Sequence, residues 1–175
     1  MQTKIDLCAE ALLKIGEPAI TSFNGPSAAS QIAAKLYDQT IDRLLCMHTW
    51  RFATKRYVLP RANDDGFIIP RNILRVISCS APRHEIIGNK IMASAPSVEI
   101  SGIARVEPNE FPAYFSHAAV TKLSMAFCIP LTGNQNTFAL LNALFENELR
   151  TARFIDSASS NAQQIDNFSL ISTRF

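Results

Sequence analysis

The side chains that most often perform catalysis are scattered along this chain. Its three histidines are His48, which is close to Trp50, His84, which is near a turn, and His117 on a predicted helix. Ser116 precedes His117, but adjacent helical residues point to different sides, so this pair does not place a nucleophile beside a base. The motifs GxxxxGK[ST], GxGxxG, HExxH and GxSxG do not occur. We therefore expect no enzymatic activity; an active site assembled only by folding is the remaining alternative.

Two pairs of acidic residues are the candidates for binding a metal ion. Asp64 and Asp65 belong to an Asn-Asp-Asp-Gly turn, which accounts for both acids without a metal. Glu146 and Glu148 are two residues apart and do not share a helix face. The cysteines are too widely spaced for a zinc or redox motif and are expected to be reduced core residues. They are Cys8, Cys46, Cys79 and Cys128. We expect neither a metal nor a cofactor.

Positive charge is concentrated between residues 51 and 106. This segment carries a net charge of +5, the rest of the chain −3, and the whole chain +2. The candidate basic surface consists of Lys55, Arg56, Arg61 and Arg75. Such a surface fits phosphate or an acidic protein, and it is also typical of an ordinary solvated strand face. The excess of Arg over Lys favours protein contacts, because guanidinium groups make planar, bidentate interactions.

The composition predicts a folded chain whose surface is partly covered by a partner. Of its 175 residues, 47% are hydrophobic and 18% are charged, against about 25% charged residues in ordinary globular chains. This length corresponds to about one domain with a real core. No apolar run approaches the roughly 18 residues of a membrane span, and no signal peptide is predicted.

The apolar residues of both ends of the chain recur at helical spacing. The four predicted helices cover residues 3–15, 27–48, 109–130 and 135–158. Thr3 and Asp6 resemble a capping box, and Ser27 is the predicted N-cap of the second helix. Pro112 is expected in the first turn of the third helix, and Pro130 and Gly133 are expected to close it.

Between these helices the pattern becomes that of β-strands. The predicted strands cover residues 52–59, 67–69, 73–79, 85–87, 90–92 and 98–106. Gly88-Asn89 indicates a hairpin, and Gly102 indicates a bulge. The predicted fold class is α+β: a four-helix bundle formed by residues 1–50 and 107–158, interrupted by a small antiparallel β module at 51–106, with an extended C-terminal tail.

The tail, residues 159–175, is rich in Ser, Asn and Gln and yet contains large apolar residues. These are Ile165, Phe168, Leu170, Ile171 and Phe175. A solvated disordered tail rarely carries so many apolar side chains. We expect the tail to order against a partner; the alternative is a strand or helix packed on its own subunit.

Several of these segments together resemble one known family. The segments are Ala11-Leu12-Leu13-Lys14-Ile15-Gly16, Pro18-Ala19-Ile20-Thr21-Ser22, Ala33-Ala34-Lys35-Leu36-Tyr37-Asp38, Arg43-Leu44-Leu45, His48-Thr49-Trp50-Arg51-Phe52-Ala53-Thr54-Lys55-Arg56, Leu59-Pro60 and Ile69-Pro70. They resemble the head-to-tail adaptors of tailed phages, portal-binding connectors of the tail tubular protein A type. Thr49 stands where Pro is common in that family. The resemblance covers most of residues 5–158 and is most specific at 37–56.

The resemblance implies a structural virion protein at the head-to-tail junction, assembled in the host cytoplasm. Such proteins form a dodecameric ring below the portal, extend the DNA channel and dock a tail nozzle or tail tube protein. Genomic DNA passes through without specific binding, and no membrane is involved. The implied portal-binding residues are those five apolar tail residues together with Arg174, and the implied junction between helix and sheet contains Tyr37, Trp50 and Phe52. The alternative is a small DNA-binding protein that uses the basic segment 51–106.

Overall fold

The computed structural model describes residues 2–61 and 66–158 and contains four helices and two small antiparallel sheets, a mixed composition compatible with the α+β class. The helices are α1 (Lys4–Lys14), α2 (Ala28–Cys46), α3 (Ala113–Thr132) and α4 (Gln135–Ala158). The strands are β1 (Thr54–Pro60), β2 (Phe67–Ile68), β3 (Ile73–Cys79), β4 (His84–Ile87), β5 (Lys90–Ala93) and β6 (Ser97–Ala104). The predicted tail and the Asp64-Asp65 turn lie outside the described residues.

The predicted helix starts of α1 and α2 are confirmed by their caps. The Thr3 hydroxyl accepts the Asp6 N–H at 3.2 Å, and the Asp6 carboxylate accepts the Thr3 N–H at 2.8 Å. Both ends of this capping box satisfy backbone donors that the helix leaves unpaired. At α2, the Ser27 hydroxyl accepts the Ser30 N–H at 3.1 Å.

The third helix begins later than predicted, and of the two residues predicted to close it, Gly133 does so and Pro130 does not. A short 3-10 turn, Pro108–Glu110, precedes it, and Pro112 is its N-cap rather than part of its first turn. Pro130 lies inside α3 and does not end it. Proline there removes one hydrogen bond of the last turn, and the helix continues until Gly133, whose positive φ of 61° reverses the chain.

The β region forms two sheets, ordered β1-β6-β3 and β2-β5-β4. Pro60 belongs to β1, where it faces Ser97; proline is tolerated because β1 is an edge strand that need not donate there. A bulge was predicted at Gly102; the register of β3 against β6 shifts between Ile73 and Arg75 and again between Val76 and Ser78, on either side of the residue paired with Gly102. A Cβ on Gly102 would lie 2.9 Å from the carbonyl oxygen of Arg75, so the two backbones approach closely only because this residue has no side chain.

The larger core is centred on α3, which packs against α1, α2 and α4. Phe115, Leu123 and Phe127 are buried along it, which explains why its sequence is apolar on nearly every side. A second, smaller core includes Leu59, Phe67 and Ile100 from the β region. None of the helices in the described ranges combines the length and apolar character that a membrane crossing requires.

Candidate functional site

The segment between α2 and β1 is held by a cluster of aromatic rings. Trp50 is fully buried, and its indole N–H donates to the carbonyl oxygen of Leu44 at 3.2 Å. The ring of Phe115 on α3 lies 5.1 Å from that of Trp50 and 4.8 Å from that of Phe52, edge-on in both cases. Edge-to-face packing of this kind adds about 0.5–1.5 kcal/mol per pair beyond area burial. The turn from helix to sheet is therefore rigid.

Of the three predicted junction residues, the structure brings Trp50 and Phe52 together in this cluster. Tyr37 makes its aromatic contacts with other residues: its ring centroid lies 6.3 Å from that of Phe23 and 5.4 Å from the Lys4 ammonium. Burial raises the pKa of Tyr37, so the phenol is neutral. Tyr37 thus packs at the contact of α1 with α2.

A buried carboxylate, Asp156 near the end of α4, ties this junction to the helices. It is 1% exposed. Its two oxygens each accept the Arg51 N–H at 3.2 Å, and one accepts the Tyr114 hydroxyl at 2.9 Å. Burial and this hydrogen bond raise the pKa of Tyr114 to about 12. Asp156 therefore joins α4, the start of α3 and the helix-to-strand turn through charge-assisted hydrogen bonds.

His48 lies beside this carboxylate, and Arg153 and Arg75 are close enough to His48 to affect its pKa. The His48 Nε2 lies 3.6 Å from Asp156, while Arg153 donates to the carbonyl oxygen of Met47 at 3.1 Å. Burial lowers the pKa of His48, Asp156 opposes that shift, and the nearby cations Arg153 and Arg75 add to it. The imidazole is consequently neutral at pH 7. Asp156, buried and hydrogen-bonded, anchors the end of α4.

The sequence prediction missed Asp156, although a signal was present. Buried side chains of α4 recur at Leu141, Phe145, Leu149 and Ala152, and Asp156 continues this stripe. An acid on a buried face needs hydrogen-bonding partners. It also lies in the last helical turn, where the macrodipole disfavours negative charge. Both facts indicate a specific tertiary role.

The four predicted basic residues do not form one compact patch. Lys55 lies 3.8 Å from the Glu110 carboxylate, and Arg75 donates to the Thr49 hydroxyl at 3.1 Å. Arg56 is exposed on β1. Arg61 follows β1 at its far end, beside a depression at β4 and β5. At about 3.3 Å per residue, Lys55 and Arg61 are roughly 20 Å apart along the strand direction.

The four cysteines are free thiols. Cys8 and Cys128 are buried in the helical core, as predicted, and burial raises the pKa of Cys8 to about 12. Cys46 and Cys79 are only partly buried, in contrast to the expectation of core positions, because they lie at the end of α2 and the end of β3.

A groove of about 450 Å³ runs between α3 and α4. Its α3 wall contains Tyr114 and His117, and its α4 wall contains Leu144, Thr151 and Ile155. Leu144 is 44% exposed and Ile155 is 39% exposed.

No grouping of three or more His, Cys, Asp or Glu side chains suited to a metal ion occurs within residues 2–61 and 66–158. A comparison of the chain with known proteins gives no matching family model and no matching curated protein. The predicted tail residues, from Ile165 to Phe175, lie outside the part of the chain described here.

Proposed function

We propose that this chain is a structural virion protein, a non-enzymatic head-to-tail adaptor that forms a ring below a portal, extends the DNA channel and docks a tail nozzle or tail tube protein. In this proposal the four helices are a bundle interrupted by a β module at 51–106. The bundle comprises residues 1–50 and 107–158, and residues 159–175 are the portal-binding tail. The site of action is the head-to-tail junction of the virion.

The observation that carries this proposal is the amount of large apolar surface that the folded chain leaves exposed. Leu140 and Phe154 on α4 are each 73% exposed, and Val58 on β1 is 70% exposed. Ile87, at the β4–β5 turn, is 57% exposed. In the proposed ring, neighbouring subunits and the portal would bury such side chains of the helices and the strands.

The buried junction supports the same proposal. Residues 37–56, where the resemblance is most specific, include Trp50 at the centre of the aromatic cluster. A rigid turn from helix to sheet keeps the β region in a defined position relative to the helices. A ring subunit needs this rigidity, because small angular errors accumulate around a closed ring.

Mass photometry of the purified chain, alone and with a cognate portal, tests ring assembly. We expect the chain alone to be a monomer and the mixture to contain a complex with one adaptor subunit per portal subunit. A mixture in which both components keep their separate masses would contradict the adaptor proposal.

Removal of residues 159–175 tests the role of the tail. We expect the shortened chain to keep the far-UV circular dichroism of the full chain, because both cores lie within the described residues. It should lose binding to the portal, since the proposed contact residues Ile165, Phe168, Leu170, Ile171, Arg174 and Phe175 are absent. Undiminished portal binding would contradict the assigned role of the tail.

A further inference from the structure

The α4 side of the groove between α3 and α4 carries two exposed apolar side chains, Leu144 and Ile155. Leu140, Leu144, Thr151 and Ile155 lie on one face of α4, at helical spacing, and all are exposed. Ile155, the groove residue of α4 with the highest number, lies three residues before Ala158, the last described residue of α4. The remaining residues, 159–175, therefore follow closely in sequence after the groove.

The chain beyond Ala158 has the length needed to occupy this groove. The groove residues of α4 run from 144 to 155, about 16 Å of helix. Residues 159–164 are enough to reverse direction, and residues 165–175 cover about the same length even when compact. Because residues 159–164 connect the tail to α4, the effective concentration of the tail at the groove is about millimolar. The tail of a second molecule in a dilute solution is present at a much lower concentration.

The tail and the groove are chemically complementary. Ile165, Phe168, Ile171 and Phe175 are spaced three or four residues apart, the pattern by which an amphipathic segment presents one apolar face to a groove. The groove also contains Glu148, whose Oε2 is buried and accepts no hydrogen bond from any residue the structure describes. Its Oε1 lies 3.9 Å from the Lys14 ammonium.

Glu148 gives this largely apolar groove one acidic group, whose side chain is 22% exposed. A buried hydrogen-bond acceptor without a donor lowers the stability of a folded protein by about 1–3 kcal/mol. The apolar tail carries one cation, Arg174, next to Phe175, together with amide and hydroxyl donors. An occupant that combines apolar side chains with a cation fits both the walls and Glu148.

From this complementarity we infer that residues 165–175 bind in the α3–α4 groove of their own molecule when no partner is bound. The tail is then held on its own subunit until a partner takes it, and portal binding competes with the groove for the same apolar side chains. This inference concerns the free chain and goes beyond the proposed function. It is tested without a portal, so its failure leaves the adaptor proposal intact.

Hydrogen–deuterium exchange of the full chain, read by mass spectrometry, tests this inference. We expect amides of residues 165–175 to exchange about tenfold or more slowly than in an unstructured peptide. Leu144→Asp and Ile155→Asp should each remove this protection, because each places a charge on the apolar wall. Phe154→Asp is the matched control: it adds the same charge one residue away, at a side chain that does not line the groove.

Three outcomes would overturn the inference. One is exchange of the tail at the unstructured rate in the unmodified chain. Another is protection that persists in both groove variants while circular dichroism shows them folded. The third is protection that increases with protein concentration in parallel with a dimer mass, which would assign the groove to the tail of a second copy.

Discussion

Two donors from distant segments, the Arg51 N–H and the Tyr114 hydroxyl, converge on Asp156, so this single residue links the end of α4 to both. Its near-complete burial makes the link strong, because water cannot replace a lost partner there. The exposed ion pairs contribute little by comparison. Lys4 and Asp38, for example, lie 3.1 Å apart with a largely exposed carboxylate.

Asp156→Asn should lower the free energy of unfolding by about 2–4 kcal/mol. The amide keeps the size of the side chain but loses the charge, and it turns an N–H group toward the donors of Arg51 or Tyr114. Urea denaturation measures the change. Asp38→Asn is the control and should cost less than about 1 kcal/mol. Equal costs for the two variants would contradict the assigned role of Asp156.

His48 should make stability depend on pH in the acidic range. Its pKa is lower in the folded chain than the ordinary 6.5, mainly because of burial. The unfolded chain therefore binds a proton more readily, so stability is fully present above about pH 6.5 and decreases as the pH falls through that value toward the folded pKa. His48→Gln should remove the part of the acid-induced loss of stability that is due to His48. Unfolding measured at a series of pH values compares the two chains, and identical slopes would contradict the prediction.

At the level of secondary-structure elements, the contact of β6 with β3 depends on Gly102. Gly102→Ala places a methyl group 2.9 Å from the Arg75 carbonyl oxygen and from the Ile73 side chain. The strands must shift apart, which costs about 1–3 kcal/mol by analogy with overpacked cores.

Thermal unfolding measures the effect of Gly102→Ala. In a chain of this size each kcal/mol lowers the Tm by about 2–4 °C. Ser101→Ala, one residue earlier on β6, is the control and should change the Tm little. An unchanged Tm for Gly102→Ala would mean that β3 can move away at no cost.

The helices were predicted more accurately than the strands, for a physical reason. The capping residues Thr3, Asp6 and Ser27 act within one helical turn, so nearby residues specify where α1 and α2 begin. The division of the β region into two sheets depends on pairings such as β1 with β6. Those pairings join residues far apart in the chain, and no local pattern encodes them.

At the scale of the whole molecule, the distribution of charge favours weak binding to DNA. The net charge is +2, and the predicted basic residues are spread over the β region, with Lys55 close to Glu110. A channel subunit must let DNA slide, whereas a DNA-binding protein concentrates its cations on one face.

A mobility-shift assay with duplex DNA at increasing salt distinguishes these two functions. We expect weak binding by the free chain and little of it left at physiological salt, because few phosphates are contacted together. Tight binding with a steep dependence on salt, lost in Arg56→Ala and Arg61→Ala, would favour the DNA-binding alternative.

Local sequence was sufficient for the number, order and approximate limits of the helices and for the β4–β5 hairpin at Gly88. These features depend on hydrophobic periodicity, caps and turn residues, which act over a few positions. Packing determined the rest: Pro130 remains helical, Asp156 is buried among distant donors, and the basic residues are dispersed. Each of these outcomes depends on which segments meet in three dimensions, and only the folded chain brings those segments together.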